Sequence, residues 1–521
     1  MNLAILHYHL SHGGVTQVIA NQLLALDAVL DPENPWRVAL LYGGRREGWP
    51  DDLPAKLKAI EFSLNEIPLL DYDSNNDPHC MKCSPADLIQ EFYMTLGMLN
   101  FAPSETVLHF HNHSLGKSRA LPEVVPQLAE DGYAILLQIH DFIEDFRASN
   151  YSYLTRVPPD EPWSNWTEAL YPQAPNIHYA VLNQRDFGIL HDAGTDPRCL
   201  HLLPNPVTIN REMPGRLEAR EKLNKLFGVD PQASFILYPV RGIRRKNVGE
   251  ALLYSAMVPS ETVVGLTLPP LNPVEKPIFD MWQRLAAELS LPFIFDIGES
   301  YKMLFGESLV ASDCIMTTSI AEGFGMVYLE AWPAGRPLIG RNLPEVTSDF
   351  VQSGLSYNWL GEKLSVPIDW IDANDFRQSF IDSYLQTIEA YRRPLSVDLE
   401  KVIDDKIIDG FVDFGDLDEP LQEQVLRLVC ADNRNRNRLL ECNHWLEEAF
   451  SIRREQATQV IMHNTETICE NFSPIPSGRR LFSILKDVAS SSRDESSMPL
   501  ANGDQIIECF LDPRRFRLIR S

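Results

Sequence analysis

The sequence predicts an α/β protein built from two doubly wound units in tandem. Three observations carry that reading: apolar runs of strand length, helical-period segments between them, and a proline-marked pause partway along a chain of 521 residues. At roughly 150 residues per domain, this length gives two or three domains. Apolar residues make up 44% and charged residues 23%, near the globular average, so the chain is not disordered throughout.

The first apolar run, residues 3–8, leads into a turn with Gly13 and Gly14 and then a helix whose buried stripe is Val15, Val18, Ile19, Leu23 and Leu26. Buried parallel strands are expected at 38–42, 106–110, 134–139 and 178–182, with helix-length segments between them. Residues 202–207 put two prolines in a short extended connection, which reads as a domain boundary. A second series follows at 235–240, 262–268, 293–297, 314–318 and 337–339, with a helical spacer at 247–257. The expected division is therefore 1–205, 206–440 with an acidic insertion near 365–419, and a helical extension over 441–521. The natural ligand site of such a pair is the cleft facing the carboxyl ends of the strands. In the insertion, Asp398, Glu400, Asp404, Asp405, Asp409, Asp413, Asp416, Asp418 and Glu419 outnumber Lys401 and Lys406, which reads as a solvated surface. Helices at about 420–463 and 480–488 are expected to pack on the second unit.

Forty-six basic against 72 acidic residues give a net charge of −26, a field that repels phosphate backbones and anionic lipid. Nucleic acid and membrane surfaces are thus excluded as first partners. No stretch approaches 18 consecutive apolar residues and the start lacks a secretory pattern, so a cytoplasmic protein without a membrane span is expected. Eight cysteines are too few for a disulfide scaffold. Cys80 and Cys83 form a CxxC that could supply half a zinc site, but no second pair of ligands appears. Sequons at Asn112 and Asn165 would matter only on a secretory route.

The densest chemical signal is the segment 317–331, which holds Glu322, Gly323, Phe324, Gly325 and Glu330. Positions eight apart on one α-helix differ by about 80° and about 12 Å of rise, too far to grip one small group together. Glu322 therefore belongs in the loop, where it can reach sugar hydroxyls, while Glu330 lies one or two turns into the following helix and can meet a ribose. The glycines let backbone N–H groups approach a phosphate at the helix start. An ordinary turn with two solvated acids is the alternative. A second element follows strand 235–240: Arg241, Arg244, Arg245 and Lys246 precede a helix and converge on the mouth of an α/β crevice, where a diphosphate would sit. The alternative there is a solvated basic turn.

Together with the Gly13-Gly14 turn and the 203–207 hinge, these elements resemble the retaining glycosyltransferases of the GT-B fold, specifically the large family 4 group that uses nucleotide sugars. The resemblance implies two Rossmann-like domains facing a central cleft, with additional C-terminal helices. It implies that Arg241 and Lys246 hold the donor diphosphate, Glu330 the ribose and Glu322 the transferred sugar, with the amides of Gly323 to Gly325 near that sugar. Gly13 and Gly14 would line the cleft beside donor and acceptor. Pro333 departs from the family pattern and should end or kink the helix near Glu330.

His140, at the end of strand 134–139, looks like the family's cleft histidine that touches the donor sugar; a core-edge histidine bonded to a loop carbonyl is the other reading. His109, His111 and His113 alternate and should point to one side of a strand, either toward sugar hydroxyls or toward a metal. Lys117, Arg119 and Arg147 would suit an acceptor with a carboxylate or phosphate. The expected activity is retaining transfer of a hexose from a UDP-, GDP- or ADP-sugar to a soluble sugar, polyol or sugar acid, with no cofactor and no metal. The alternatives are a nucleotide-sugar epimerase, a phosphorylase, or a non-catalytic scaffold on the same fold. A dehydrogenase is excluded by the lack of a G-x-G-x-x-G after any strand.

Overall fold

The computed structural model describes residues 1–73, 82–155, 170–208, 214–452, 455–493 and 496–520. Two compact units result. The first comprises Met1–Thr208, Glu389–Arg393 and Glu470–Asp512; the second comprises Ile209–Ile388, Pro394–Cys469 and Pro513–Ser521.

In the first unit, β1 (Asn2–His7), β2 (Trp36–Tyr42), β3 (Ile60–Glu66), β4 (Thr106–His111), β5 (Ala134–Ile139), β6 (Ile177–Val181) and β7 (Leu200–Leu202) form a parallel sheet in the order β3-β2-β1-β4-β5-β6-β7. Leu3 and Ile5 face one side with Leu23 and Leu26, whereas Ala4 and Leu6 face the other with Leu88 and Phe92. A sheet covered on both faces needs strands that are apolar at every position, which is why most of them read as continuous runs. The half-exposed β3 and the three-residue β7 lacked that signature.

The second unit repeats the arrangement with β8 (Ser234–Arg241), β9 (Thr262–Leu268), β10 (Phe293–Ile294), β11 (Cys314–Thr317), β12 (Leu338–Arg341) and β13 (Leu360–Gly361), in the order β10-β9-β8-β11-β12-β13. In each sheet the chain runs outward from its first strand and then jumps back to that strand's other side. The switch points lie between β1 and β4 and between β8 and β11, and a ligand crevice opens at the carboxyl ends of such strands.

Three expectations need correction. The helix expected at 480–488 is Pro474–Ala489, and it packs on helix Gly14–Asp27 of the first unit rather than on the second. Gly478 permits the contact: a Cβ there would sit 1.9 Å from the Ala25 carbonyl oxygen. The expected separate extension at 441–521 is instead divided between the two units. The expected helix at 420–463 is four helices, Glu419–Ala431, Asn433–Cys442, Trp445–Ser451 and Thr458–Asn471. The first break is at Asp432, whose extended backbone and side chain, accepting from Arg434 N–H, cap the next helix.

The acidic insertion is only partly a solvated surface. It contains helices Ala373–Ala390 and Leu399–Lys406 and an antiparallel pair, β14 (Ser365–Pro367) with β15 (Phe411–Asp413). Asp413, Asp416 and Glu419 are buried. Arg341, itself buried, donates to both oxygens of Asp413 at 2.8 Å and to Glu250 at 2.6 Å. Arg517 donates to Asp413 and Asp416 at 2.9 and 2.6 Å, and Lys406 to Asp416 at 2.9 Å. Composition shows acids in excess but not which of them meet a cation in the core. Among the described residues, no helix is long and apolar enough to cross a membrane.

Candidate active site

The second unit's switch point brings together two loops. After β8, residues Arg244–Lys246 form a 3-10 turn that ends on Asn247 in the left-handed region, φ 50°, before helix Val248–Met257. This turn is fastened to the loop after β11. Ile320 N–H donates to the Arg245 carbonyl at 3.0 Å, and the Tyr238 hydroxyl to the Lys246 carbonyl at 2.6 Å. The Thr318 hydroxyl lies 2.9 Å from the Lys246 carbonyl and 3.1 Å from that of Asn247. Tyr238 and Thr318 thus position the site, a role their polarity in buried strand contexts could have signalled.

The fastening sets Lys246 Nζ against the Glu322 carboxylate in a close ion pair. Arg245 Nη1 reaches the same carboxylate at 3.4 Å and the Ala321 carbonyl at 3.1 Å. The Glu322 side chain is only 8% exposed. Burial alone would raise its pKa, but the charges of Lys246 and Arg245 outweigh that and hold it below the ordinary value. Lys246 is also desolvated, and its pKa is lowered despite the attraction of Glu322.

Beyond Glu322, Gly325 adopts φ +81°, where a Cβ would come within 2.7 Å of Tyr328 and Val346, and Phe324 is buried edge-on to Phe350. Gly323, between Glu322 and Phe324 in the chain, is half-buried. The following helix, Val327–Glu330, is a single turn, so Glu330 stands at its end rather than one or two turns inside. Pro333 lies just beyond, as its missing N–H requires. Glu330 is half-buried and its carboxylate has no partner among the described residues; burial pushes its pKa up to about 7. Arg241 donates to the Pro269 carbonyl at 2.9 Å and has no carboxylate partner among them. Arg244 leaves the group, because it forms a two-point ion pair with Glu419 at 2.6 and 3.0 Å. Of the four cations, Lys246 and Arg245 meet Glu322, Arg244 is taken by Glu419, and Arg241 is held at the end of β8 by the Pro269 carbonyl.

In the first unit, Gly13 caps helix Gly14–Asp27 in extended backbone, and both glycines are exposed. No described residue comes within 4 Å of where a Cβ of Gly14 would stand, so none of them demands its lack of a side chain. His140 is buried at the carboxyl end of β5, with its Nε2 2.9 Å from His111 Nδ1. Its backbone N–H, like that of Asp141, donates to Asn112 Oδ1, so Asn112 is a buried structural residue and not an exposed sequon. His109 Nε2 meets Gln138 Oε1 at 3.0 Å. Burial lowers the pKa of His140 to about 4 and those of His7 and His109 to about 3, so all three are neutral. The expected common face of His109, His111 and His113 does not extend to the third, because Asn112 turns left-handed at φ 59° and ends the strand. His113 instead bonds the Leu170 carbonyl at 2.8 Å and packs beside Tyr171. Among the described residues no three His, Cys, Asp or Glu side chains are grouped as a metal would need. Cys80 and the Asn165 sequon lie outside the described residues; the Cys83 thiol, pushed up to about 11 by burial, faces the Leu69 carbonyl.

No family model matches the chain. A curated relative, the mannosylglucosyl-3-phosphoglycerate synthase of Petrotoga mobilis, is 28% identical over 359 residues, which are 67% of this chain and 66% of the relative, just under two thirds of its length. Solved structures of similar fold include sucrose-phosphate synthase from Thermosynechococcus elongatus, with a TM-score of 0.54 at 14% identity over 93% of this chain and 98% of that one. HepE of Anabaena in complex with UDP-glucose gives 0.50 at 12% identity over 93% and 99%. The structural likeness agrees with the architecture that the sequence resemblance implies: the chain has the GT-B fold.

Proposed function

We propose that the protein is a retaining, nucleotide-sugar-dependent hexosyltransferase acting in the cytoplasm on a soluble acceptor. The observation that carries this is the Glu322 carboxylate held by Lys246 and Arg245 at a switch point, on the loops after β8 and β11 that also carry Arg241 and lead to Glu330, two groups with no charged partner among the described residues. Three cations against Glu322 and Glu330 leave a net positive charge, which suits the anionic diphosphate of a nucleotide sugar. The diphosphate competes with Glu322 for Lys246, and the carboxylate so released orients the hexose. Arg241, Arg245 and Lys246 then stabilise the charge that grows on the leaving group as the glycosidic bond breaks. The acceptor hydroxyl attacks from the leaving-group face, and a donor phosphate oxygen takes its proton, which gives retention. Glu330 accepts hydrogen bonds from the ribose. His140, Gly13 and Gly14 contribute substrate contacts from the first unit. The names of the Petrotoga relative and of the UDP-glucose complex support a hexose donor.

Because cations already serve the diphosphate, no divalent metal is required. Transfer from a panel of UDP-, GDP- and ADP-hexoses, scored by nucleotide release, is expected to persist in excess chelator. Activity lost in chelator and restored by manganese or magnesium would contradict the metal-independent mechanism; activity found only with lipid-linked acceptors in vesicles would contradict the soluble acceptor.

A further inference from the structure

At the carboxyl edge of the first sheet, loops from several strands bring cations around one tyrosine ring. Tyr72 follows β3, and its ring centre lies 5.2 Å from Arg45 Cζ and 5.3 Å from Lys117 Nζ, with the His9 ring 4.9 Å away. Arg147, which follows β5, is near enough that its charge acts on both Lys117 and Tyr72.

The counter-charges are unevenly shared. Arg45 is neutralised by Asp71 through two hydrogen bonds of 3.0 and 2.5 Å, and Arg147 Nη2 donates to Asp141 at 2.6 Å. Asp73, the next carboxylate, already accepts from the backbone N–H groups of Lys82 and Arg119 and from the Tyr153 hydroxyl. Lys117 has no carboxylate partner among the described residues, and the Nε of Arg147 is buried without an acceptor among them. Lys117 is held in place, for its carbonyl accepts from Asp73 N–H at 2.9 Å. Gly116 before it, at φ +72°, sits where a Cβ would strike Ile143. Burial, and then the charge of Arg147, lower the pKa of its ammonium. An aromatic face offsets part of such an exposed charge, but a desolvated cation beside another cation is satisfied fully only by an anion. Asp145 also acts on Arg147, so what stands out here is Lys117, a desolvated ammonium fixed in place with no carboxylate partner among the described residues.

We propose that Lys117 and Arg147 bind an oxyanion, a phosphate or a carboxylate, on the acceptor, with Tyr72 as the apolar wall beside it. This rests on the glycosyl-transfer reading, since it names the chemical class of that reaction's acceptor. Arg147 can offer Nε together with its remaining N–H groups, and Lys117 supplies the unmatched charge.

The test is calorimetric binding of glucose 6-phosphate, gluconate and glucose to the full chain, read without turnover. One of the two anions is expected to bind at least tenfold more tightly than glucose, and which one does so distinguishes a sugar phosphate from a sugar acid. Lys117→Met should weaken that anion at least tenfold and Lys117→Arg should keep it, while Lys82→Met, at an exposed lysine, should have no effect. Nucleoside diphosphate affinity should be the same in all of them, which also reports that each variant is folded. Equal binding of both anions and glucose, or an unchanged anion affinity in Lys117→Met, would overturn the proposal. Intact anion binding in a protein that never releases nucleotide would instead overturn the transfer reading and leave this site standing.

Discussion

Glu322 and Glu330 belong to one short segment, yet their surroundings push their carboxylates in opposite directions. Glu322 is held ionised by Lys246 and Arg245, whereas Glu330 has no partner among the described residues and is pushed up to about 7 by burial. A contact that strengthens as positive charge develops on the sugar lowers the barrier, and one equally strong throughout sets affinity. Glu322→Ala is therefore expected to lower kcat by on the order of 10² or more, and Glu330→Ala mainly to raise the donor KM. Normal turnover in Glu322→Ala would refute the assignment, as would a Glu330→Ala enzyme that binds donor normally but fails in single turnover. Ribose hydroxyls donate best to an ionised carboxylate, so donor affinity should rise as pH increases through about 7, and Glu330→Gln should flatten that dependence. A titration with the same slope in both proteins would exclude Glu330 as its origin. The residue types and spacing of this site were legible in the sequence because strand, glycine loop and cation cluster are local patterns. The pairing of Lys246 with Glu322, and of Arg244 with Glu419, was not, because each joins residues far apart in the chain.

Elements were legible where their own burial wrote the pattern. The central strands, covered on both faces, are apolar at nearly every position; β3 and β7, less enclosed, carry no such run. Helix Pro474–Ala489 showed an apolar stripe, but a stripe does not name its partner, and the partner is helix Gly14–Asp27, more than 400 residues earlier in the chain. Gly478 marks this contact, since the Ala25 carbonyl lies against it. Gly478→Ala should force the two helices apart and destabilise the first unit by about 1–3 kcal/mol, an overpacking cost. Thermal unfolding and hydrogen exchange in β1 and β4 would measure it; unchanged protection there would show that the contact is not tight. Nucleotide binding, which the account assigns to the second unit, should survive this substitution.

Across the whole molecule, two buried charge systems govern the response to pH and mutation. In the second unit, Arg341 pairs with Glu250 and Asp413, so Arg341→Met should cost about 3–5 kcal/mol by leaving the buried Glu250 without its cation, while Asp413 keeps Arg517. A loss below 1 kcal/mol in denaturant titration would mean that the network is not buried as described. In the first unit, His7, His109 and His140 have folded-state pKa values of about 3 to 4, below their ordinary value. A depressed histidine stabilises the fold above its unfolded pKa, near 6.5, and that stability is lost as pH falls toward the folded values. Unfolding temperature should accordingly fall as the pH drops from about 6.5 to about 4, with hydrogen exchange quickening first in β1, β4 and β5; a flat profile would contradict neutral burial. Neither system was visible in composition, because a net charge of −26 says nothing about which charges are enclosed. The central claim, transfer of a hexose from a nucleotide sugar, is tested most directly by measuring free nucleoside diphosphate with donor alone and with donor plus acceptor. The account predicts release that depends on the acceptor and is lost in Glu322→Ala. Conversion of the donor to an epimer without nucleotide release, or no release with any donor and acceptor pair, would contradict it.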